Sequence, residues 1–229
     1  FSQAVLQLVP QLGWRPELVH CHDWQTALVC ASLGLTKADD PFWRSVATVL
    51  TIHNLAYQGV FPRDAWPITG LPPGGFRIDG LEFYGKLNCL KGGLVFADWL
   101  STVSPTYAKE IQQPELGCGL EGVLATRREQ LGGILNGLDT DTWNPRTDPH
   151  LPARYGPEER AGKAACKLSL QKQQGLAAQH TLLIGMIQRL AEQKGIDIFL
   201  EAAETLMDLK VQIVLLGTGE PVYHERLTA

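Results

Sequence analysis

No apolar run in the sequence approaches the roughly 18 residues that a membrane-spanning helix needs, so neither a helical span nor a membrane partner is expected. No charged leader followed by an apolar stretch opens the chain, and no signal peptide is read. A basic stripe is also missing. Twenty Lys and Arg stand against 24 Asp and Glu, a net charge of −4, which gives nucleic-acid binding no support. Cysteine is scarce and badly spaced for cross-linking. Cys21, Cys30, Cys89, Cys118 and Cys166 are odd in number and contain no CxxC pair, so a disulfide framework is not expected and a reducing compartment fits. There is no full GxGxxG and no P-loop lysine, which removes the NAD and P-loop nucleotide readings. Repeats and low-complexity tracts are absent.

What is present is an ordinary globular composition. The chain has 229 residues, 45% of them hydrophobic, enough for a sizeable core and for one large domain or parts of two. Apolar runs of strand length alternate with helical patterns, which argues for parallel α/β architecture. Strands are expected at Glu17–Cys21, Ser45–Ile52, Leu100–Val103, Gly133–Leu135, Leu182–Ile187 and Val211–Leu216. Helices are expected at Trp24–Leu33 with Asp23 as N-cap, Leu87–Ala97, from Pro105, Leu120–Gln130, Glu158–Gly175 and Ile196–Leu209. Residues 55–80 are rich in Pro and Gly and read as one long irregular excursion, a length usually tied to function. The Pro- and Asp-rich stretch 138–157 reads as a linker, placing one unit at 1–137 and a second at 138–229. The chain opens at Phe1 within an amphipathic segment and ends after a strand and turn, as an internal fragment of a longer protein would.

Five constellations could carry chemistry. His20-Cys21-His22-Asp23-Trp24 joins a strand's C-terminal end to a helix, the edge where open α/β sheets bind ligands. Its two histidines also raise a zinc reading, but no second ligand cluster accompanies them; the plain alternative is a helix cap with interior polar residues. The stretch from Thr51 to Gly59 runs a buried strand into His53 and Asn54. His53, Asn54 and Gln58 are there able to meet sugar hydroxyls; the plain alternative is a satisfied core histidine. Asn136-Gly137 reads alone as a turn. Arg189 and Lys194 lie at a strand's C-terminal end, and Lys194 also at the start of the next helix, where an anion would relieve the unfavourable placement of a cation; the plain alternative is a solvated pair. Gly217-Thr218-Gly219 follows a strand and lets backbone approach a ligand closely.

Together these segments resemble the bacterial-type glycogen and starch synthases. The resemblance rests on HCHDWQTALV (20–29), TIHNLAYQGVFP (51–62), the long run 80–111, GLEGVL (119–124), ILNGLDTDTWNP (134–145) and QRLAEQKGID (188–197), in order and nearly end to end. It implies a GT-B glycosyltransferase of α/β class with two Rossmann-like domains, both incomplete here. Residues 1–137 would be part of the acceptor-side domain, and 138–229 the linker and first part of the nucleotide-sugar domain. It implies glucose transfer from ADP-glucose to the non-reducing end of an α-1,4-glucan, with retention and no obvious protein nucleophile. His53, Asp23, Arg189 and Lys194 would carry catalysis. Asn136, Arg189, Lys194, Gly217, Thr218 and Gly219 would contact the donor. No metal and no cofactor beyond the donor substrate is implied, and the compartment would be a bacterial cytoplasm, or else a plastid.

Two family motifs are missing, a Lys-x-Gly-Gly-Leu donor loop and a downstream Glu-Pro-Cys-Gly-Leu. Lys91-Gly92-Gly93-Leu94 imitates the first but falls mid-helix and is not taken for it. The chain by itself is therefore expected to be inactive. Other GT-B enzymes, a synthase preferring UDP-glucose, and a non-catalytic glucan-binding homologue remain open alternatives.

Overall fold

The computed structural model describes residues 1–228. The chain divides into two compact units, 1–137 and 138–229, taken separately below.

The first unit is built on a four-stranded parallel sheet. Its strands are β1 (Leu18–His22), β2 (Ala47–Ile52), β6 (Trp99–Thr102) and β7 (Leu131–Gly133), in the order β1-β2-β6-β7. The β-branched run of β2 suits a central strand covered on both sides, with Thr48, Leu50 and Ile52 buried and Val49 and Thr51 half-buried. The helices are α1 (Ser2–Gln11), α2 (Asp23–Thr36), α3 (Trp66–Thr69), α4 (Cys89–Phe96), α5 (Pro105–Glu110) and α6 (Glu121–Thr126). Helix α5 begins as the sequence signals, with Ser104 Oγ accepting from Tyr107 N and Pro105 in the first turn. The core joins Leu50, Ile52 and Leu100 of the sheet to Ala27 and Leu33 of α2 and Leu90 and Leu94 of α4.

Helices α2 and α4 approach closely because α4 carries Gly92-Gly93. A Cβ on Gly93 would lie 2.7 Å from both Ala27 Cβ and Leu50 Cδ2, and one on Gly92 would lie 2.5 Å from Leu81 Cγ. The Lys91–Leu94 string therefore serves helix packing. Lys91 itself is buried at 6% exposure, and its ammonium donates to Ile78 O and Glu82 O. Burial lowers its pKa, opposed by Glu82 and Asp79. At the far end of α4, Arg127 donates to Leu94 O (2.8 Å), Val95 O (3.0 Å) and Ala97 O (2.7 Å), satisfying carbonyls that a helix end leaves open.

Several boundaries depart from the sequence expectation. The strand expected at Gly133–Leu135 lies earlier, at Leu131–Gly133, and the helix expected at Glu158–Gly175 is shorter, at Ala161–Gln173. The excursion 55–80 is partly ordered: it contains α3 and β3 (Val60–Phe61). The latter joins β4 (Glu82–Phe83) and β5 (Lys86–Asn88) in a small antiparallel sheet of order β3-β5-β4. The helix expected from Leu87 starts at Cys89, because Leu87 is in β5 and Asn88 Oδ1 caps the helix by accepting from Lys91 N at 2.9 Å. The helix expected over Leu120–Gln130 stops at Thr126 and gives way to a 3-10 turn at Arg128–Gln130.

The second unit pairs two parallel strands, β8 (Leu183–Ile187) and β9 (Gln212–Leu216), in register from Leu183 opposite Gln212 to Ile187 opposite Leu216. Its helices are α7 (Ala161–Gln173), α8 (Ile196–Asp208) and α9 (Pro221–Thr228). A small core of Leu190, Ile196 and Tyr223 packs with Met186, Leu200, Leu215 and Leu227. No described helix is long and apolar enough to cross a membrane.

Candidate active-site residues

In the first unit, the C-terminal ends of β1 and β2 bring His20, His22, Asp23 and His53 together. The parallel register sets His22 opposite Thr51, so the residues that follow each strand emerge side by side. His22 Nδ1 and His53 Nε2 are 3.0 Å apart. The His20 ring lies over that of His22 with centroids 4.3 Å apart, and His20 Nε2 meets Thr51 Oγ1 at 2.6 Å. Thr51 Oγ1 in turn meets Ser101 Oγ at 2.6 Å on the next strand. The His22 imidazole titrates below the usual histidine range. Desolvation is the main cause, the neighbouring His20 and His53 add to it, and Asp23 opposes.

Asp23 does not cap α2 as the sequence suggested. No side chain caps the helix; His22 holds the N-cap position, and the Thr26 hydroxyl ties it by accepting from His22 N at 2.5 Å and donating to His22 O at 2.7 Å. The Asp23 carboxylate crosses instead to the neighbouring strand end, where Oδ1 accepts from His53 N at 2.7 Å and Asn54 N at 3.4 Å. The cost is a left-handed backbone, with φ 53 at Asp23.

Gln58 also departs from its expected role. It is buried, and both ends of its amide are engaged: Nε2 donates to Cys118 O at 3.0 Å and Oε1 accepts from Asn88 Nδ2 at 2.7 Å. It holds the loop and is not placed to meet a sugar. Asn54 Oδ1 accepts from Ala56 N at 3.0 Å, and Tyr107 Oη accepts from Leu55 N at 3.1 Å, so the segment after His53 is pinned twice. An open depression of about 530 Å³ lies next to it, lined by Trp24, Tyr57, Gly59 and Cys118 among others. Gly59 has φ +61, and a Cβ there would fall 2.3 Å from Trp24 Cε3, so the indole rests directly on its backbone.

Asn136 is exposed near the end of the first unit, and Asn136-Gly137 forms no turn. The turn comes later, at Asp139, whose carboxylate accepts from Thr142 N at 2.9 Å and Thr142 Oγ1 at 2.7 Å.

In the second unit, residues 188–190 continue past β8 and lie along 217–219 beyond β9. Leu190 N donates to Thr218 O at 3.0 Å and Glu220 N donates to Leu190 O at 2.9 Å. This explains the glycines. A Cβ on Gly217 would fall 2.3 Å from Gln188 O, and one on Gly219 would fall 2.1 Å from Leu190 O. The close approach that the Gly217-Thr218-Gly219 segment permits is thus to the chain's own backbone. It also places Arg189 beside Thr218 at the C-terminal edge of the β8–β9 pair. Lys194 closes a 3-10 turn at Glu192–Lys194, and Gly195 (φ 71) leads into α8. Both cations are exposed, and their side chains have no hydrogen-bond or ion-pair partner among the described residues. The His22–His53 contact is the feature that sequence reading missed. The parallel pairing of β1 and β2 could have pointed to it, since it makes the two strand ends neighbours. Among the described residues, no group of three or more His, Cys, Asp or Glu is arranged to hold a metal ion.

Comparison with known proteins places this geometry. Residues 1–126 match the family model of the starch synthase catalytic domain. Glycogen synthase 2 of Geobacter sulfurreducens is 53% identical over 100% of this chain and 48% of its own length. Glycogen synthase of an Anaeromyxobacter species is 51% identical, over 98% of this chain and 47% of that protein. The solved catalytic domain of starch synthase IV from Arabidopsis thaliana, bound to ADP and acarbose, superposes with a TM-score of 0.88 at 37% identity. It covers 99% of this chain and 47% of that one. The chain spans about half the length of the curated relatives it matches. Its α/β fold is of the GT-B type found in these enzymes, and the chain belongs to the glycogen and starch synthase family.

Proposed function

We propose that the protein containing this chain is a retaining glucosyltransferase that moves glucose from ADP-glucose to the non-reducing end of an α-1,4-glucan. The observation that carries this is the pair of unpartnered cations, Arg189 and Lys194, at the C-terminal strand edge of a unit with this family's sequence. Two exposed cations without a carboxylate partner suit a diphosphate. Arg forks onto two phosphate oxygens and Lys supplies a compact charge. As the bond between the anomeric carbon and the β-phosphate oxygen breaks, negative charge collects on ADP, and both cations stabilise it. The acceptor's 4-hydroxyl oxygen bonds to the anomeric carbon on the face the phosphate leaves. Its proton passes to the departing phosphate.

His53 meets the transferred glucose, Asp23 fixes the His53 backbone, and Asn136 and the 217–219 segment contact the donor. Trp24 and Tyr57 offer apolar faces for the sugar rings of the acceptor. The bacterial relatives support a bacterial cytoplasmic setting and a glycogen-like product.

The test is glucose incorporation into glycogen by the full-length protein, from ADP-glucose and UDP-glucose in parallel, with proton NMR of the new linkage. New α-1,4 linkages, formed faster from ADP-glucose, are expected. Glucan binding with no transfer from either donor would overturn the reading in favour of a non-catalytic glucan-binding protein.

A further inference from the structure

We propose that His22 is a positioning residue for His53 in glucosyl transfer, fixing the orientation of the His53 ring and which of its nitrogens meets the sugar. This rests on the function proposed above. An exposed histidine after the end of a strand has two free side-chain torsions, and its ring would ordinarily populate several rotamers. His53 is held at two points. Its backbone N–H is bound by Asp23 Oδ1 at 2.7 Å, and its ring Nε2 faces His22 Nδ1 at 3.0 Å. His22 is held in turn. Its backbone N–H and C=O are tied to Thr26, which fixes the point from which the side chain projects, and the His20 ring packs on its ring at 4.3 Å between centroids. His20 is anchored in turn through Thr51 to Ser101. The ring of His53 is thus braced across three strands of the sheet, β1, β2 and β6.

The bond has a chemical consequence. A hydrogen bond between two imidazole nitrogens holds one proton, so one nitrogen donates and the other accepts. With Nε2 committed to His22, the nitrogen of His53 left for a ligand is Nδ1, and it has no partner among the described residues. When His22 donates, the neutral His53 carries its proton on Nδ1 and presents a donor to a sugar hydroxyl. Removing His22 frees both the rotamer and the tautomer. The ground-state grip on the nucleotide, which Arg189 and Lys194 supply in the second unit, is untouched. The loss therefore falls on kcat more than on KM for the donor.

The experiment compares His22→Ala with His22→Asn in the full-length protein. Asn places an amide near the position of Nδ1 and can keep the bond. We expect His22→Ala to lower kcat about 10- to 100-fold, the range a small misplacement of a reacting group produces, with donor KM little changed. His22→Asn should recover most of the loss. Nitrogen-15 NMR of the histidine rings gives a readout independent of turnover. In the wild type, His53 should show one fixed tautomer and a coupling through the hydrogen bond to His22; in His22→Ala the two tautomers should average. If His22→Ala fails to fold, the wild-type spectrum decides, and a His53 ring that averages there overturns the proposal. A normal kcat in His22→Ala, or an Asn variant as impaired as Ala, also overturns it. Absence of transfer in the wild type would instead strike the proposed function, while the ring spectrum would still report whether His22 holds His53.

Discussion

Replacing Asp23 should produce an inverted order of stability. Asp23 sits at the first position of α2 with φ 53, a conformation in which a Cβ is crowded. Its carboxylate bond to His53 N, at 2.7 Å, is charge-assisted and contributes about 1.5–3 kcal/mol. Asp23→Ala loses that bond, about 1.5–3 kcal/mol, and keeps the Cβ that the wild type already carries in a backbone region costing about 1–2 kcal/mol. Asp23→Gly loses the same bond but relieves the strain, at an entropic cost of about 0.5–1 kcal/mol. Asp23→Asn keeps an acceptor and tolerates positive φ, and should lose the least. The expected order of stability is Asn above Gly above Ala, whereas in a regular helix Ala exceeds Gly by about 1 kcal/mol. Urea unfolding followed by Trp fluorescence is the assay. Trp14, Trp24, Trp43, Trp66 and Trp99 lie in the first unit and only Trp143 in the second, so the signal reports mainly on the first. An Ala variant as stable as the Gly variant would refute the strained-backbone reasoning.

Three further outcomes are expected. Arg127→Met keeps the apolar stem but strips three close carbonyl contacts at the end of α4, and should lower the unfolding midpoint by an amount equal to about 2–3 kcal/mol. Gly93→Ala forces a methyl to 2.7 Å from Ala27 and Leu50. Despite the better helix propensity of Ala, it should destabilise by about 1–2 kcal/mol in the same assay. Asp98 gives an acid limb. Burial raises its pKa, but hydrogen bonds from Lys37 and Thr48 prevail and hold it below the usual carboxylate range. A depressed folded-state pKa means that the stabilisation is complete above the unfolded value of about 4 and fades as pH falls through the lower folded value. Asp98→Asn should therefore cost stability at pH 7 and show a smaller further loss between pH 5 and pH 2 than the wild type.

How much of this was legible in the sequence depends on the length of the pattern. The run at 45–52 declared β2, and Pro105 declared α5, because each carries its signal within a few residues. The β3-β5-β4 sheet left no such trace, since strands of two or three residues cannot show a period. Asn88 before a helical run was a readable cap, and it marks the start of α4 two residues later than the apolar pattern alone suggests. The candidate residues were visible as a set through family resemblance. What they touch was not. Asp23 looked like a cap because Asp before a helix normally is one, and only the pairing of β1 with β2 shows that its carboxylate reaches His53. Gln58 looked free for a ligand because its partners, Cys118 and Asn88, are 60 and 30 residues away along the chain. The glycines at 217 and 219 suggested a ligand cradle, and the structure fills that space with Gln188 and Leu190.

The most direct measurement of the central claim is the rate of glucose transfer from ADP-glucose to a maltooligosaccharide by the full-length protein and its Arg189→Ala and Lys194→Ala variants. Each cation acts on charge that grows on the departing ADP, so each variant should lose about 10²- to 10³-fold in kcat, the loss typical of removing one such electrostatic group. The fold should be unchanged, because neither side chain has a partner within the described residues. Variants that transfer glucose at the wild-type rate would contradict the assignment of Arg189 and Lys194 to the diphosphate, and with it the observation on which the proposed function stands.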